Sequence, residues 1–300
     1  MMSLESQSPH WEWYYIAMYF FIGGVSAGSY FIGSLVELMG FEKHRQVSRV
    51  AYYIAFPLIC ITPILLIADL GRPVRFWHLF FSPGAGMPYM NPTSPLSIGT
   101  WALLIYSGMA FLSFLNTLVE DGMLTSQSLV KLHTLFSRLP HKLYAAIGSF
   151  FGFFVAGYTG VLLNTTARPL WAGTDPFIGP LFILSGASTG AAAIAIVMVG
   201  NKIASGDDME RLKSLDRIAM ITEVVVLAMM FIIARQYALA LLGGGFGVLF
   251  LGGAVLLGLL VPLGMQWRTS AAAGGTIISS VLILMGSAML RIVLVQAGQS

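Results

Sequence analysis

The sequence is poor in the residues that most redox and soluble proteins depend on. It has one cysteine, Cys60, in 300 residues. No internal disulfide can form, and no iron–sulfur cluster can be held, because a cluster needs several thiolates. Charged residues are 10% of the chain, against about 25% in soluble domains, so a water-soluble globule is excluded. The net charge of +3 is too small to argue for nucleic acid. The N-terminal run MMSLESQSPHWEWYY has no basic region, so no cleavable leader is expected. The five histidines are His10, His44, His78, His133 and His141, and all fall in tails, loops or beyond helix ends. None forms a facing pair across a bundle, as a buried haem requires.

What fills the chain instead is apolar sequence: 57% of residues are hydrophobic and the mean hydropathy is +0.81. Crossing a bilayer takes about 20 mostly apolar residues. Hydropathy predicts an all-α integral membrane protein with eight transmembrane helices at 13–39, 51–70, 96–118, 142–164, 177–200, 217–240, 246–265 and 272–295. The sixth and seventh spans are one nearly continuous apolar run, best divided at Arg235, Gln236 and the glycines Gly243, Gly244 and Gly245. Between spans three and four, Leu129, Leu132, Leu135, Phe136 and Leu139 recur at helical spacing, as in an amphipathic interfacial helix.

Basic residues orient the spans. Eleven lie on one face, in the loops around Lys43, Lys131, Lys202 and Arg268; the opposite face has five, Arg72, Arg75, Arg168, Arg235 and Arg291. The first face is expected to be cytoplasmic and both termini extracytoplasmic. All five lysines lie on the first face, so the second is an arginine-only face. Gly24-x-Ser26-x-Gly28 in the first span recurs as Gly186-x-Ser188-x-Gly190 in the fifth. Gly-x-Ser-x-Gly can form a hydrolase nucleophile elbow, but that needs a strand–turn–helix setting and a histidine partner. Inside apolar helices, small residues point to close backbone packing. The recurrence suggests two four-helix bundles, residues 1–170 and 171–300.

Ionisable residues within spans mark sites or pathways by default, because charge in a bilayer is costly. Three stand out: Asp69 at the arginine-only end of the second span, Glu223 deep in the sixth, and Glu37 near the cytoplasmic end of the first. Glu223 reads as a proton relay, or as a protonated carboxyl satisfied by a neighbouring helix. Glu37 is close enough to the interface to be solvated. Tyr19 lies six residues inside Trp13, and Tyr158 six residues before Asn164, so both sit about 9 Å deep. Asp69, Arg72, Arg75 and His78 cluster just beyond the second span, and Arg168 just beyond the fourth. Tyrosines and arginines here could simply form an interfacial belt touching lipid phosphate. Arginine without lysine, on the face that topology disfavours, argues instead for fixed ion pairs and a functional cluster.

Five segments carry a family likeness: Phe21-Ile22-Gly23-Gly24-Val25-Ser26-Ala27-Gly28-Ser29-Tyr30; Ala68-Asp69-Leu70-Gly71-Arg72-Pro73 with Arg75-Phe76-Trp77-His78; Asn91-Pro92-Thr93-Ser94-Pro95-Leu96-Ser97; Tyr158-Thr159-Gly160-Val161-Leu162-Leu163; and Thr166-Ala167-Arg168-Pro169-Leu170-Trp171. Together they resemble the NrfD-type membrane subunits, the family of the polysulfide reductase membrane anchor. The motifs are dense over residues 11–200; the last third matches mainly in hydropathy. The resemblance implies a haem-free, quinone-binding, eight-helix subunit in a bacterial or archaeal cytoplasmic (inner) membrane. Its implied partners are an extracytoplasmic four-cluster ferredoxin-like iron–sulfur protein and a molybdopterin catalytic subunit. It also implies a quinone pocket, expected to take menaquinone, near the arginine-only ends of spans one, two and four. Tyr158 would face the head group. Tyr19 stands where the polysulfide reductase subunit has a histidine, which leaves the second hydrogen-bonding group open.

The residues lead to the same place without the name. A quinone needs an apolar slot, a hydrogen-bonding group at each carbonyl and a proton acceptor. Tyr19, Tyr158, Arg72 and Arg168 could bind it, and Asp69 or His78 could take the proton, with Glu223 and Glu37 as a path to the other face. Competing readings are a secondary transporter, which would use a broken-helix site near the midplane, and a passive anchor without a quinone site.

Overall fold

The computed structural model describes residues 13–70, 72–81, 88–123, 127–136, 140–166, 168–268 and 273–299. Its long helices are α1 (Trp13–Leu38), α2 (Arg45–Ala68), α3 (Pro95–Glu120), α5 (His141–Asn164), α7 (Ile178–Gly200), α8 (Gly206–Ile233) and α12 (Ala273–Gln299), with short helices α4 (Gln127–Phe136), α6 (Pro169–Gly173) and α9 (Arg235–Ala238) between them. The span Gly244–Trp267 is wound in three pieces: α10 (Gly244–Gly247), a π-helical stretch Val248–Leu260, and α11 (Val261–Arg268). Among the described residues there is no strand, only an isolated bridge between Phe81 and Pro88. Among the described residues seven helices are long and apolar enough to cross a membrane, and the bent pair Gly206–Ile233 and Arg235–Leu242, taken as one span, makes an eighth. The chain is a multi-pass, all-helical membrane protein.

Helix α1 is the axis of the fold, packing on α2, α5, α7 and α12. Its small residues make that possible. A Cβ on Gly28 would lie 1.9 Å from the Gly186 carbonyl oxygen, and one on Gly190 2.3 Å from the Gly28 carbonyl carbon. The two Gly-x-Ser-x-Gly motifs therefore cross face to face, backbone on backbone, as close packing of small residues requires. Their serines are spoken for. Ser26 donates to the Ala55 carbonyl at 2.7 Å and is 2.9 Å from the Tyr106 hydroxyl, while Ser188 donates to Asp216.

Expected spans and observed helices agree within a few residues except at the second, where α2 begins at Arg45 rather than 51, and at the sixth. Instead of one helix over 217–240, α8 begins at Gly206 and stops at Ile233, and the chain then turns by 103° into Arg235–Leu242. At its start, Ser205 caps the helix by accepting the Asp208 amide at 3.1 Å. Asp208 in turn holds the buried His44 ring at 2.5 Å, fastening the α1–α2 connection to α8. The break at Ala234 and Arg235 is where the polar pair Arg235–Gln236 interrupts the apolar run. The interfacial helix expected between spans three and four is α4, tied to α3 by His133 Nε2 and Asn116 Oδ1 at 3.1 Å. Its Leu132 and Phe136 side chains, and all of Leu139, lie outside the described residues, as do His10, Gly71, Arg138 and Ala167.

Candidate functional site

The start of α3 gathers the arginine-only face. Asn91 Oδ1 accepts from the Thr93 amide and hydroxyl at 3.0 and 2.7 Å, and the Asn91 amide donates to Ser97 Oγ at 3.1 Å. Ser94 caps the helix and Pro95 occupies its first turn, where a missing N–H costs nothing. The Asn91–Ser97 motif thus builds a rigid helix N-terminus. Onto it Tyr158 of α5 lays its ring, in the space that a Cβ on Gly99 would fill, and donates its hydroxyl to the Pro95 carbonyl at 2.7 Å. Tyr19 of α1 belongs to the same buried cluster and lies within electrostatic reach of Tyr158. Its hydroxyl has no hydrogen-bond partner among the described residues. Leu65 and Leu66 of α2 pack on this cluster. Asp69 follows Leu65 by one turn, its amide bonded to the Leu65 carbonyl at 3.1 Å, so it lies on the same helix face as Leu65.

The other residues expected at this face spread outward from that point. Arg72 precedes a 3₁₀ turn over Pro73–Leu79, and both Arg72 and Arg75 are exposed. His78 stacks on Trp77 at 3.8 Å, and its Nδ1 is buried without a partner among the described residues. The turn rests on α3 through Phe80 and Trp101, whose rings are 5.8 Å apart. Arg168 caps α6, half-buried and without an ion pair among the described residues. Tyr19 and Tyr158 thus share one buried cluster, Asp69 follows Leu65 on α2 by one turn, and Arg72 and Arg75 are exposed on the turn beyond it.

Glu37 and Glu223 lie elsewhere, and apart. Glu37 is not simply solvated: it is half-buried and accepts the Tyr52 hydroxyl at 2.5 Å. It lines a polar cavity of about 340 Å³ at the lysine-rich face with Asn116, Glu120, His141 and Lys142. Glu223 is buried in α8 beside a separate cavity between α7, the π-helical stretch and α12.

One expectation is overturned there. Arg291 does not lie at the membrane face; it is 1% exposed, the bulkiest fully buried side chain among the described residues. Its Nε donates to the Phe20 carbonyl at 3.0 Å, and Nη1 donates to Ser185 Oγ and the Ser287 carbonyl, each at 3.2 Å, and to Ser287 Oγ. The guanidinium also sits 5.0 Å over the Phe182 ring. Gly24 makes room for it, since a Cβ there would meet Nη2 at 2.6 Å. Burying this cation among hydrogen-bond acceptors and a ring is what lets it lie so deep. Asp216 was likewise not apparent as an intramembrane group, because the charged stretch preceding it reads as loop. It is buried seven residues before Glu223, on the same face of α8.

The fold and this arrangement define a polytopic helical membrane protein with two tyrosines in one buried cluster and a buried arginine bonded to the backbone beside the first of them. The chain belongs to the NrfD family: residues 3–300 match the family described as "Polysulphide reductase, NrfD". It is 25% identical to the C subunit of polysulfide reductase from Wolinella succinogenes, over 97% of its own length and 94% of that subunit's. Protein NrfD of Escherichia coli is 26% identical, over 98% and 96%. The integral membrane subunit of menaquinone reductase from Nitratidesulfovibrio vulgaris is 25% identical, over 60% of this protein and 44% of that subunit.

Proposed function

We propose that the protein is the quinone-reactive membrane subunit of an oxidoreductase complex. It would exchange electrons between (mena)quinol and an iron–sulfur partner on the arginine-only face. The observation that carries this reading is the pairing of Tyr19 and Tyr158 in one buried cluster, with Asp69 a turn beyond Leu65. A quinone fits this donor set. Tyr19 offers a hydroxyl with no partner among the described residues, and Tyr158 one that can exchange the Pro95 carbonyl for a quinone oxygen.

A bound quinol supplies two electrons and two protons. The side chains do the rest. Tyr19 and Tyr158 orient the head group, Asp69 accepts a proton at a carboxylate oxygen, and His78 Nδ1 is a second acceptor near the rim. Arg72 and Arg168 hold negative charge at the mouth. With a single cysteine the protein cannot hold an iron–sulfur cluster, so the electrons pass to a partner. The relatives' names, among them a polysulfide reductase and a menaquinone reductase, support a catalytic and an iron–sulfur partner here too. In this reading the lysine-rich face is cytoplasmic, by positive-inside bias, and both termini are extracytoplasmic.

Quinol oxidation by the assembled complex, with and without Tyr19→Phe, tests the assignment. The variant keeps the ring and removes one hydrogen bond, so quinol KM should rise by up to about tenfold with assembly unchanged. An unaltered KM and turnover in an assembled complex would remove Tyr19 from the pocket.

A further inference from the structure

Behind Tyr19 the second half of the protein has a polar seam that the tyrosine site does not use. On α12, Thr276, Ser280, Ser287 and Arg291 recur at helical spacing and form one stripe, about 22 Å long at 1.5 Å per residue. Facing it, α8 presents Asp216 and Glu223, and α7 presents Ser185 and Ser188. Two cavities lie along this seam. One, of about 20 Å³, is lined by Lys213, Asp216, Gln266, Thr276, Ser279 and Ser280. The second, of about 10 Å³, is bounded by Ser185, Ser188, Glu223 and Ser287. Each has the volume that a single water centre needs.

The groups around the cavities ask for that water. Gln266 Nε2 donates to Asp216 Oδ2 at 2.5 Å, but Gln266 Oε1 and Ser279 Oγ, from two residues that line the larger cavity, are buried without partners among the described residues. Leaving two such atoms unsatisfied costs about 1–3 kcal/mol each, and one water bridging them to Asp216 removes the cost. At the smaller cavity Glu223 and Arg291 attract one another across the membrane interior, yet they are not among the ion pairs within 4.0 Å that the described residues form. Ser185 stands between them: its Oγ accepts from Arg291 Nη1 at 3.2 Å and lies within hydrogen-bonding reach of Glu223.

We infer that Asp216, Ser188, Glu223 and two bridging waters form a proton wire. It runs from the Lys213 end of α8 to Arg291, which is hydrogen-bonded to the carbonyl of the residue after Tyr19. Each carboxyl takes a proton on one oxygen as it releases one from the other, and the carboxyls, the Ser188 hydroxyl and the waters then turn back to their starting orientation before the next passage. Arg291 closes the inner end: a fixed cation there repels a free proton, and transfer past it requires chemistry at the Tyr19 site. What the wire serves rests on the quinone reading above; its existence does not.

Purified full-length protein in liposomes, driven by a potassium diffusion potential and read with an internal pH dye, tests the wire without quinone or partner. Wild type should be as tight as empty liposomes. Arg291→Gln should admit protons at least about tenfold faster, since the barrier is gone. Adding Asp216→Asn to Arg291→Gln should return the rate to background. A folded Arg291→Gln protein that stays tight overturns the wire, and so does a leak that survives Asp216→Asn. Should Arg291→Gln fail to fold, a density map of the wild-type protein that resolves ordered water decides. Water between Gln266 Oε1, Ser279 Oγ and Asp216 is expected, and an empty cavity overturns the proposal. If the wire passes while Tyr19→Phe leaves quinol oxidation unchanged, the quinone assignment fails and the wire stands.

Discussion

Tyr158 lies across the first turn of α3, its ring where a Gly99 Cβ would be and its hydroxyl 2.7 Å from the Pro95 carbonyl. This contact joins α5 to the start of α3, at one end of an interface that also packs Gly152 against Tyr106. Tyr158→Phe keeps the ring and loses a hydrogen bond worth about 1 kcal/mol, so the protein should still fold. Gly99→Ala does the reverse: it keeps the hydroxyl but drives a methyl to 2.2 Å from a rigid ring. Both variants should weaken quinone binding, measured by titration of the assembled complex, and Gly99→Ala should do so although it removes no polar group. Tight binding in both would separate the quinone site from this contact.

Asp69 should matter through its proton rather than its bulk. Asp69→Asn preserves shape and removes the acceptor, so quinol oxidation should slow about 10²-fold, the usual scale of a lost acid–base group. Assembly and quinone affinity should be retained. An assembled Asp69→Asn complex with near-normal turnover would pass the acceptor role to His78, whose Nδ1 is buried and unpartnered among the described residues.

The crossing of α1 and α7 is the least forgiving contact in the fold. Gly28→Ala places a methyl 1.9 Å from the Gly186 carbonyl oxygen, and neither backbone can give way without moving a whole helix. Overpacking of this kind costs about 1–3 kcal/mol or more. Gly108→Ala is the control: nothing lies within 4 Å of its Cβ position, and a helical alanine gains about 0.5–1 kcal/mol over glycine. Thermal unfolding in detergent should fall for Gly28→Ala and hold or rise for Gly108→Ala. Equal melting temperatures would mean that the helices can part at this crossing.

Helix number and most boundaries were legible because a membrane-length apolar run has few alternatives. Matched depth likewise brought Tyr19 and Tyr158 together, since each is six residues from a helix end. Four features were hidden. Residues 206–216 contain Asp207, Asp208, Glu210, Arg211 and Lys213 and read as loop, yet Asp208, Met209, Leu212 and Asp216 turn inward and extend α8. Arg291 ends an apolar run and so reads as interfacial; its acceptors, Phe20 and Ser185, are 271 and 106 residues away. Pro95 as the partner of Tyr158 could not be read from spacing, because backbone acceptors leave no mark in a sequence. The two Gly-x-Ser-x-Gly motifs were visible as packing signals, but not that they pack on each other.

Electrons should leave through the surface above the start of α3. Around the 3₁₀ turn and the bridge that follows it, Val74, Phe76, Trp77, Phe81, Tyr89 and Met90 are all more than a third exposed. They form an apolar, aromatic surface rimmed by Arg72 and Arg75. Aromatic and arginine enrichment is the composition of a protein interface rather than of a surface left in water. The same segment rests on α3 through Phe80 and Trp101, so a partner seated on it would stand at the end of α3 that Tyr158 touches. On the quinone reading proposed above, electrons from a quinol near Tyr19 and Tyr158 need an acceptor on this face, since one cysteine leaves the protein no cluster of its own to span the membrane. Crosslinkers placed at Val74 and Tyr89 should therefore capture the iron–sulfur subunit of the assembled complex, and one placed at Ile203 should not. Trp77→Ala should weaken that association by about tenfold or more, as loss of a central aromatic does at an interface. Capture from Ile203 with none from Val74 or Tyr89 would put the partner on the lysine-rich face and reverse the direction in which electrons leave the tyrosine site.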